Sequence, residues 1–295
     1  MKFLFAILAS VVLASFGTFL LVHLHFTGLL PWEERNQGDV ITSTLQSGIL
    51  HESREVMVAL PKNYSAQREY PVLYLLDGSS LQQRSVEILE VLADNGYGPE
   101  TIVVGIPNSG MKARQRDLTP PFMNTDIDDS TSAPGCGDKF LEFIQYELIP
   151  FIDGHYSTSN YRLIGGNSRG GLLVLYSLMA KPDLFQARFC YSTPFWRQDE
   201  IILRELNRFI AARDSLKTFL FFSAGEKETD KIRSGCGSLA ARLTESAPDA
   251  MKWHYQFTPE ADHQSNAVRS LGRALGLWGK YYQDQKIAAR VNVVR

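Results

Sequence analysis

The stretch "LIGGNSRGGLLVLYSLMA", residues 163–180, sets one serine among glycines, behind a short apolar pair and ahead of an apolar run. Its centre, Gly166-Asn167-Ser168-Arg169-Gly170, fits G-x-S-x-G, a sharp strand-to-helix turn that pushes a serine hydroxyl out of the backbone. Glycines two before and two after suit so tight a bend, because a Cβ there would collide with the neighbouring strand or helix. The pentapeptide alone is weak, since Ser, Gly and Asn are also common where helices begin. Its context is stronger. Tyr161–Ile164 reads as a short strand and Gly171–Ala180 as a buried helix, the setting that such a turn requires. Ser168 is therefore a candidate nucleophile.

The same alternation extends in both directions. Val40 to Leu60 holds two strand-like runs separated near Gly48, with "REVMVALP" alternating as a half-buried strand does. "YPVLYLLDG" (70–78) and "ETIVVGIPN" (100–108) are continuous apolar strands, and Leu81–Ala93 between them has helical spacing. Downstream, a helix from about Gly137 to Leu148 is expected to stop before Pro150. The strand "ARFCYST", a helix near 199–213, the strand "KTFLFFSAG", a helix around Ile232–Leu243, the strand "MKWHYQF" and a last helix over about Ser265–Tyr282 follow. This pattern predicts an α/β fold whose mostly parallel, twisted sheet carries helices on both faces. Residues 107–136, containing "TPPFMNTDIDDS", read as a long irregular loop of the kind that covers substrate sites.

The 295 residues divide into an N-terminal segment, 1–30, and one large domain, 31–295. After Lys2, Phe3 to Val22 runs without a charge, as long as the roughly 20 residues that a bilayer-spanning helix needs. An uncleaved anchor in the inner membrane is the preferred reading, a signal sequence cleaved near Ala14 the second, and a buried core helix the third. With Lys2 held inside and Glu33 and Glu34 beyond the span, the domain is expected in the periplasm, tethered or released. A formal charge of −2, from 30 basic and 32 acidic residues, leaves no electrostatic footprint for nucleic acid and favours a small-molecule or neutral-polymer partner. The three cysteines lack metal-site spacing. Cys136 and Cys236, each in Gly-Cys-Gly, are candidates for one disulfide after export, while Cys190 reads as a buried small hydrophobe.

A serine nucleophile needs a base, and the base needs an orienting group. In an α/β-hydrolase sheet the order is Ser, acid, His, each at the end of a later strand. His254 lies inside "MKWHYQF" and reads as structural; His263, in the loop "PEADHQSN", is the candidate base. "FFSAGEKETD" offers Glu226, Glu228 and Asp230 past a strand end, and Glu228 is preferred as the acid. Asp262 is less suited, being adjacent to the histidine. Two amides must meet the developing oxyanion. Arg169, after the nucleophile, supplies one, and the turn "LLDGSS" is expected to supply the other at Ser79.

The ordered series "VALPKNY", "YPVLYLLDG", "RQRDLTP", "DKFLEFIQYELIPFID", "YRLIGGNSRGGLLVLYSLMAKPDLF", "YSTPFW", "SAGEKE" and "DHQS" resembles the esterase-D-like serine hydrolases over about residues 45–285. That group includes enterobactin and salmochelin esterases, feruloyl esterases and S-formylglutathione hydrolase. The resemblance implies an α/β-hydrolase fold, no metal and no organic cofactor, with Ser168 and His263 at matching positions. Glu228 falls where the acid lies in relatives, some of which look like Ser-His dyads. Arg116 and Asp117, with Thr119 and Pro120, resemble a segment bordering the site, although locally they read equally as a loop ion pair and a turn. Trp196 is placed like an aromatic beside the acyl or sugar pocket, with a core tryptophan as the alternative. Two departures stand out. Many relatives carry His before the serine where this chain has Asn167, and Arg169 stands where a smaller or neutral residue is frequent. Arg169 reads either as a solvated first-turn residue or as a contact to a substrate oxygen.

The leading expectation is a serine esterase working through an acyl-enzyme on a siderophore-type, feruloyl or simple acyl ester. The alternatives are an acyltransferase that delivers the acyl group to a sugar hydroxyl, as in the related mycolyltransferases, and a non-catalytic binding protein on a hydrolase fold.

Overall fold

A computed structural model describes the backbone of residues 40–293. The expected N-terminal anchor or signal sequence lies outside these residues. Among the described residues no helix is long and apolar enough to cross a membrane.

Eight strands form one sheet: β1 (Ile41–Ser47), β2 (Glu52–Ala59), β3 (Tyr70–Leu76), β4 (Ile102–Ile106), β5 (Thr158–Asn167), β6 (Ala187–Tyr191), β7 (Thr218–Gly225) and β8 (Met251–Thr258). Their order across the sheet is β1-β2-β4-β3-β5-β6-β7-β8. β2 runs antiparallel to both β1 and β4, and every other pairing is parallel. β3, β4, β6 and β7 are buried at every position. A parallel strand covered on both faces needs such an unbroken apolar run.

Alternate residues of one strand feed two cores. Val72, Tyr74 and Leu76 of β3 face a layer containing Phe140, Phe143, Leu172, Leu175 and Leu239. Leu73 and Leu75 face the opposite layer, with Leu89, Leu271, Leu275 and Trp278. The second layer comes from α1 (Ser79–Asp94) and α8 (Asn266–Val293). The first is supplied by α3 (Gly137–Phe143), α5 (Arg169–Ala180), α6 (Arg197–Ala211) and α7 (Asp230–Ser246).

Pro150 does not end its helix. A π-helical turn over Ile144–Leu148 joins α3 to α4 (Ile149–His155), and Pro150 falls in the first turn of α4. The helix passes through Pro150 on the widened π turn, where Ile149 N–H donates to the Ile144 carbonyl five residues back. The 107–136 segment also differs from the irregular loop expected, because it begins with α2 (Met111–Asp117). Cys136, Cys190 and Cys236 all carry free thiols, so the candidate disulfide is not formed. Burial pushes the Cys236 thiol up to about 12 and raises that of Cys190 further.

Candidate active site

β5 delivers the chain to Ser168 and α5 carries it away, with Ser168 itself at φ 53° and ψ −119°. A non-glycine residue in so sparsely populated a conformation is held there by its surroundings. Here its N–H donates to the Tyr191 carbonyl at 2.8 Å, and its carbonyl accepts from Gly171 N–H at 3.0 Å. The bend is tight enough that a Cβ on Gly166 would lie 2.6 Å from the Gly170 carbonyl carbon. Backbone approach thus requires glycine at 166, whereas a Cβ at Gly170 would come no nearer than 3.4 Å to any neighbour, Asp77 Oδ2.

Ser168 opens onto a cleft of about 330 Å³ that is also lined by Arg114, Ile127, Arg169, Pro194, Trp196, Arg197, Glu228, Thr229, Ile232 and His263. The structure therefore brings together the candidate nucleophile, base and acid from three separate strand ends. His263 Nδ1 and Glu228 Oε2 are 2.8 Å apart. Glu228 Oε1 accepts from Gly225 N–H at 2.8 Å and from Ser192 Oγ at 2.7 Å. Burial by itself would raise the Glu228 pKa, but the hydrogen bonds from His263, Gly225 and Ser192 outweigh it and hold the carboxyl below its ordinary value. An ionised carboxylate only accepts, so His263 Nδ1 must be the donor, which leaves Nε2 as the basic nitrogen. Of the other carboxylates considered, Glu226 accepts from Glu260 N–H, Asp230 pairs with Arg233 and Asp262 accepts from Ser265.

Beneath Glu228 lies a polar cluster that the sequence reading missed. Asn266 Nδ2 donates to Ser192 Oγ at 2.9 Å and to Ser223 Oγ at 3.1 Å, while its Oδ1 accepts from Thr258 Oγ1 at 2.6 Å. Asn266 and Ser192 are fully buried. The available signal was a set of polar residues interrupting otherwise apolar strand ends, in "CYST", "FSAG" and "HQSN".

The two amides expected at the oxyanion are those of helix-starting residues. Arg169 opens α5 and Ser79 opens α1, and first-turn N–H groups have no intrahelical acceptor. The turn before Ser79 is braced by Asp77, at φ 59°, whose carboxylate takes both Arg114 Nε and Nη2 at 2.7 Å and also Asn108 Nδ2. At Gly78 a Cβ would sit 2.5 Å from Ile106 N, so this turn abuts the end of β4 as only glycine can.

Trp196 lines the cleft, with the Lys231 ammonium 4.8 Å from its ring centroid. Arg116 and Asp117 do not line it. Asp117 is buried against Arg54 and accepts from Arg116 Nε at 2.6 Å, and Arg116 also reaches Glu52 at 2.9 Å. The hydrogen bond to Asp117 raises the Arg116 pKa above its ordinary value. Their place at the cleft is taken by Arg114, since residues two apart on a helix point in different directions. Arg169 is not a solvated arginine: its Nη1 donates to Thr119 Oγ1 and to the Thr125 carbonyl, both at 2.7 Å. His254 is on β8, its ring 5.8 Å from that of Phe219. Among the described residues no group of three or more His, Cys, Asp or Glu is placed to hold a metal ion.

Residues 47–278 match the family described as putative esterase. The chain belongs to that family. Among curated esterases, ferri-bacillibactin esterase BesA of Bacillus subtilis is 29% identical over 191 residues, 59% of this chain and 65% of the relative. A siderophore enterobactin esterase of Emericella nidulans is 30% identical over 180 residues, 55% of this chain and 59% of the relative. These matches span less than two thirds of the relatives' length. An IroE-like serine hydrolase from Shewanella oneidensis superposes with a TM-score of 0.74 at 27% identity, covering 82% of this chain and 80% of its own.

Proposed function

We propose that this esterase is a serine hydrolase that cleaves its substrate through an acyl-enzyme. His263 Nε2 takes the Ser168 proton as Oγ attacks the ester carbonyl, and the amides of Arg169 and Ser79 receive the oxyanion. His263 then protonates the leaving alcohol and activates water for deacylation, while Glu228 stabilises the imidazolium. The observation that carries the reading is the 2.8 Å His263–Glu228 hydrogen bond on the cleft that Ser168 also lines.

A siderophore-type ester is the preferred substrate class, supported by the names of the two curated relatives. Feruloyl and simple acyl esters share the same chemistry. The apolar run Phe3–Val22 after Lys2 supports export, with the enzyme anchored in the inner membrane and its domain in the periplasm. The test is hydrolysis of p-nitrophenyl butyrate by the full chain and by Ser168→Ala. A fall in kcat/KM of several orders of magnitude, with the circular dichroism spectrum retained, is expected. Equal rates would refute a Ser168 nucleophile, and transfer of the acyl group to an added sugar alcohol in place of water would make the protein a transferase.

A further inference from the structure

The cleft is cationic in a way that esterase chemistry does not require. Arg197 is only 2% exposed, yet its Nη2 bonds only to neutral oxygens, the carbonyls of Asn124 at 2.8 Å and Asp126 at 3.0 Å. Its Nη1 is buried and has no hydrogen-bond partner among the described residues. Arg169, the neighbour of Ser168, likewise reaches a hydroxyl and a carbonyl. Burial lowers the pKa of both guanidinium groups, that of Arg169 to about 10, with repulsion from Arg197 and Arg114 adding to it and Asp126 opposing it in each. Arg114, the third cation on the cleft, is different, because Asp77 neutralises it through two hydrogen bonds.

A comparison inside the same molecule separates structural from functional burial. Arg188 is also fully buried without a carboxylate, but all three guanidinium nitrogens are engaged, with Ser177 Oγ, Thr218 Oγ1 and the carbonyls of Ser177, Lys181, Phe185 and Pro182. That cation ties α5 to β6 and needs nothing more. Arg197 lacks such completion, and a buried cation without a full set of partners is costly. The chain also spends backbone strain to hold it. Gln198, Asp199 and Glu200, directly after Arg197, all adopt left-handed conformations with φ between 47° and 58°. Gln198 Oε1 accepts from Asn124 N–H at 3.0 Å, and Glu200 pairs with Arg242 at 2.7 Å, so both sides of the segment are fastened. Strain of this kind persists at sites where geometry serves binding.

We propose that Arg197 and Arg169 form an anion subsite beside Ser168, so that the preferred ester carries a carboxylate, phosphate or similar anionic group near its scissile bond. This rests on the serine-esterase reading and narrows its substrate class. A guanidinium fork matches such a group in two parallel hydrogen bonds, and the cleft, partly shielded from water, strengthens them.

The experiment uses two matched pairs of esters. The first is mono-(4-nitrophenyl) adipate against 4-nitrophenyl hexanoate, with the charge on the acyl side; the second is 4-carboxyphenyl butyrate against phenyl butyrate, with it on the alcohol side. The charged member of one pair is expected to be favoured in kcat/KM by about ten- to a hundredfold, the range of a charge-assisted hydrogen bond. That ratio should fall toward one in Arg197→Gln and in Arg169→Gln, persist in part in Arg197→Lys and decline with added salt. The ratio is the readout because lost fold or general catalysis lowers both members alike. Equal turnover of charged and neutral esters in both pairs, or a preference untouched by Arg197→Gln and Arg169→Gln, would overturn the subsite and leave the esterase standing. If no ester is hydrolysed, the esterase reading falls, and calorimetric titration of the same four esters decides the subsite: preferential binding of a charged member that depends on Arg197 supports it, and no preference overturns it.

Discussion

His263 Nδ1 and Glu228 Oε2 meet at 2.8 Å although 35 residues separate them in the chain. Parallel β7 and β8 end on the same edge of the sheet, so the turn after one and the loop after the other are neighbours. The carboxylate is wholly buried, whereas the imidazole is 41% exposed. One partner is thus fixed, and the other looks into the cleft.

Glu228→Gln should retain the fold and lower kcat by about 10²- to 10⁴-fold, because an amide no longer enforces the Nδ1–H tautomer or stabilises the imidazolium. Stability should change with a definite sign. The folded-state pKa of Glu228 is depressed, so its stabilisation is complete above the ordinary glutamate value of about 4.5 and is lost as the pH falls through the lower folded value. Thermal melts of the two proteins should therefore differ most near neutrality and converge in acid. A gap that widened in acid would show that Glu228 is not held as a carboxylate.

Asn266→Ala should cost about 2–4 kcal/mol, because it leaves the buried hydroxyls of Ser192, Ser223 and Thr258 without their shared partner. Urea unfolding gives the stability. Since Ser192 also holds Glu228 Oε1, kcat should fall along with it, whereas KM should change little. A stability loss within experimental error would mean that Ser192 and Ser223 find other donors and Thr258 another acceptor.

What was legible in the sequence follows from which forces act locally. Strands buried on both faces leave unbroken apolar runs, so "YPVLYLL" and "TFLFFSAG" announced β3 and β7. The turn at Ser168 was legible because backbone contact at Gly166 excludes every other residue. Arg116 and Asp117 were misplaced because their partners, Glu52 and Arg54, lie on a strand more than sixty residues earlier, and pairing at that distance leaves no local pattern. Pro150 misled for a related reason. The π turn that lets the helix continue is held by the burial of Ile144 and Leu148, a tertiary effect. Arg197 was overlooked since nothing in "PFWRQDE" distinguishes a buried cation from a solvated one.

Thiol titration should find one class of cysteine in the native protein and three residues after denaturation. Cys136 is partly accessible, whereas Cys190 and Cys236 are buried with raised thiol pKa values and so lack both access and thiolate character. Reductant should leave Tm unchanged. A reductant-dependent fall in Tm, with fewer thiols titrated after denaturation, would restore the disulfide that the Gly-Cys-Gly settings suggested.

Asp117→Ala should be among the most damaging single changes away from the cleft. Asp117 is 1% exposed and receives Arg54, itself 1% exposed, whose guanidinium lies 5.2 Å from the Phe140 ring centroid. Removing one member of a buried pair leaves an uncompensated charge and costs about 3–5 kcal/mol. Glu52, 2.5 Å from Arg54, retains part of the compensation, which places the expected loss toward the lower end. Asp117→Asn should cost less, because the amide oxygen still accepts one hydrogen bond. The double change Asp117→Asn with Arg54→Met, which removes the buried cation together with its anion, should recover stability relative to Asp117→Ala. Urea midpoints for the three variants test the order, and a double variant less stable than Asp117→Ala would mean that Arg54 contributes through its packing on Phe140 more than through its charge.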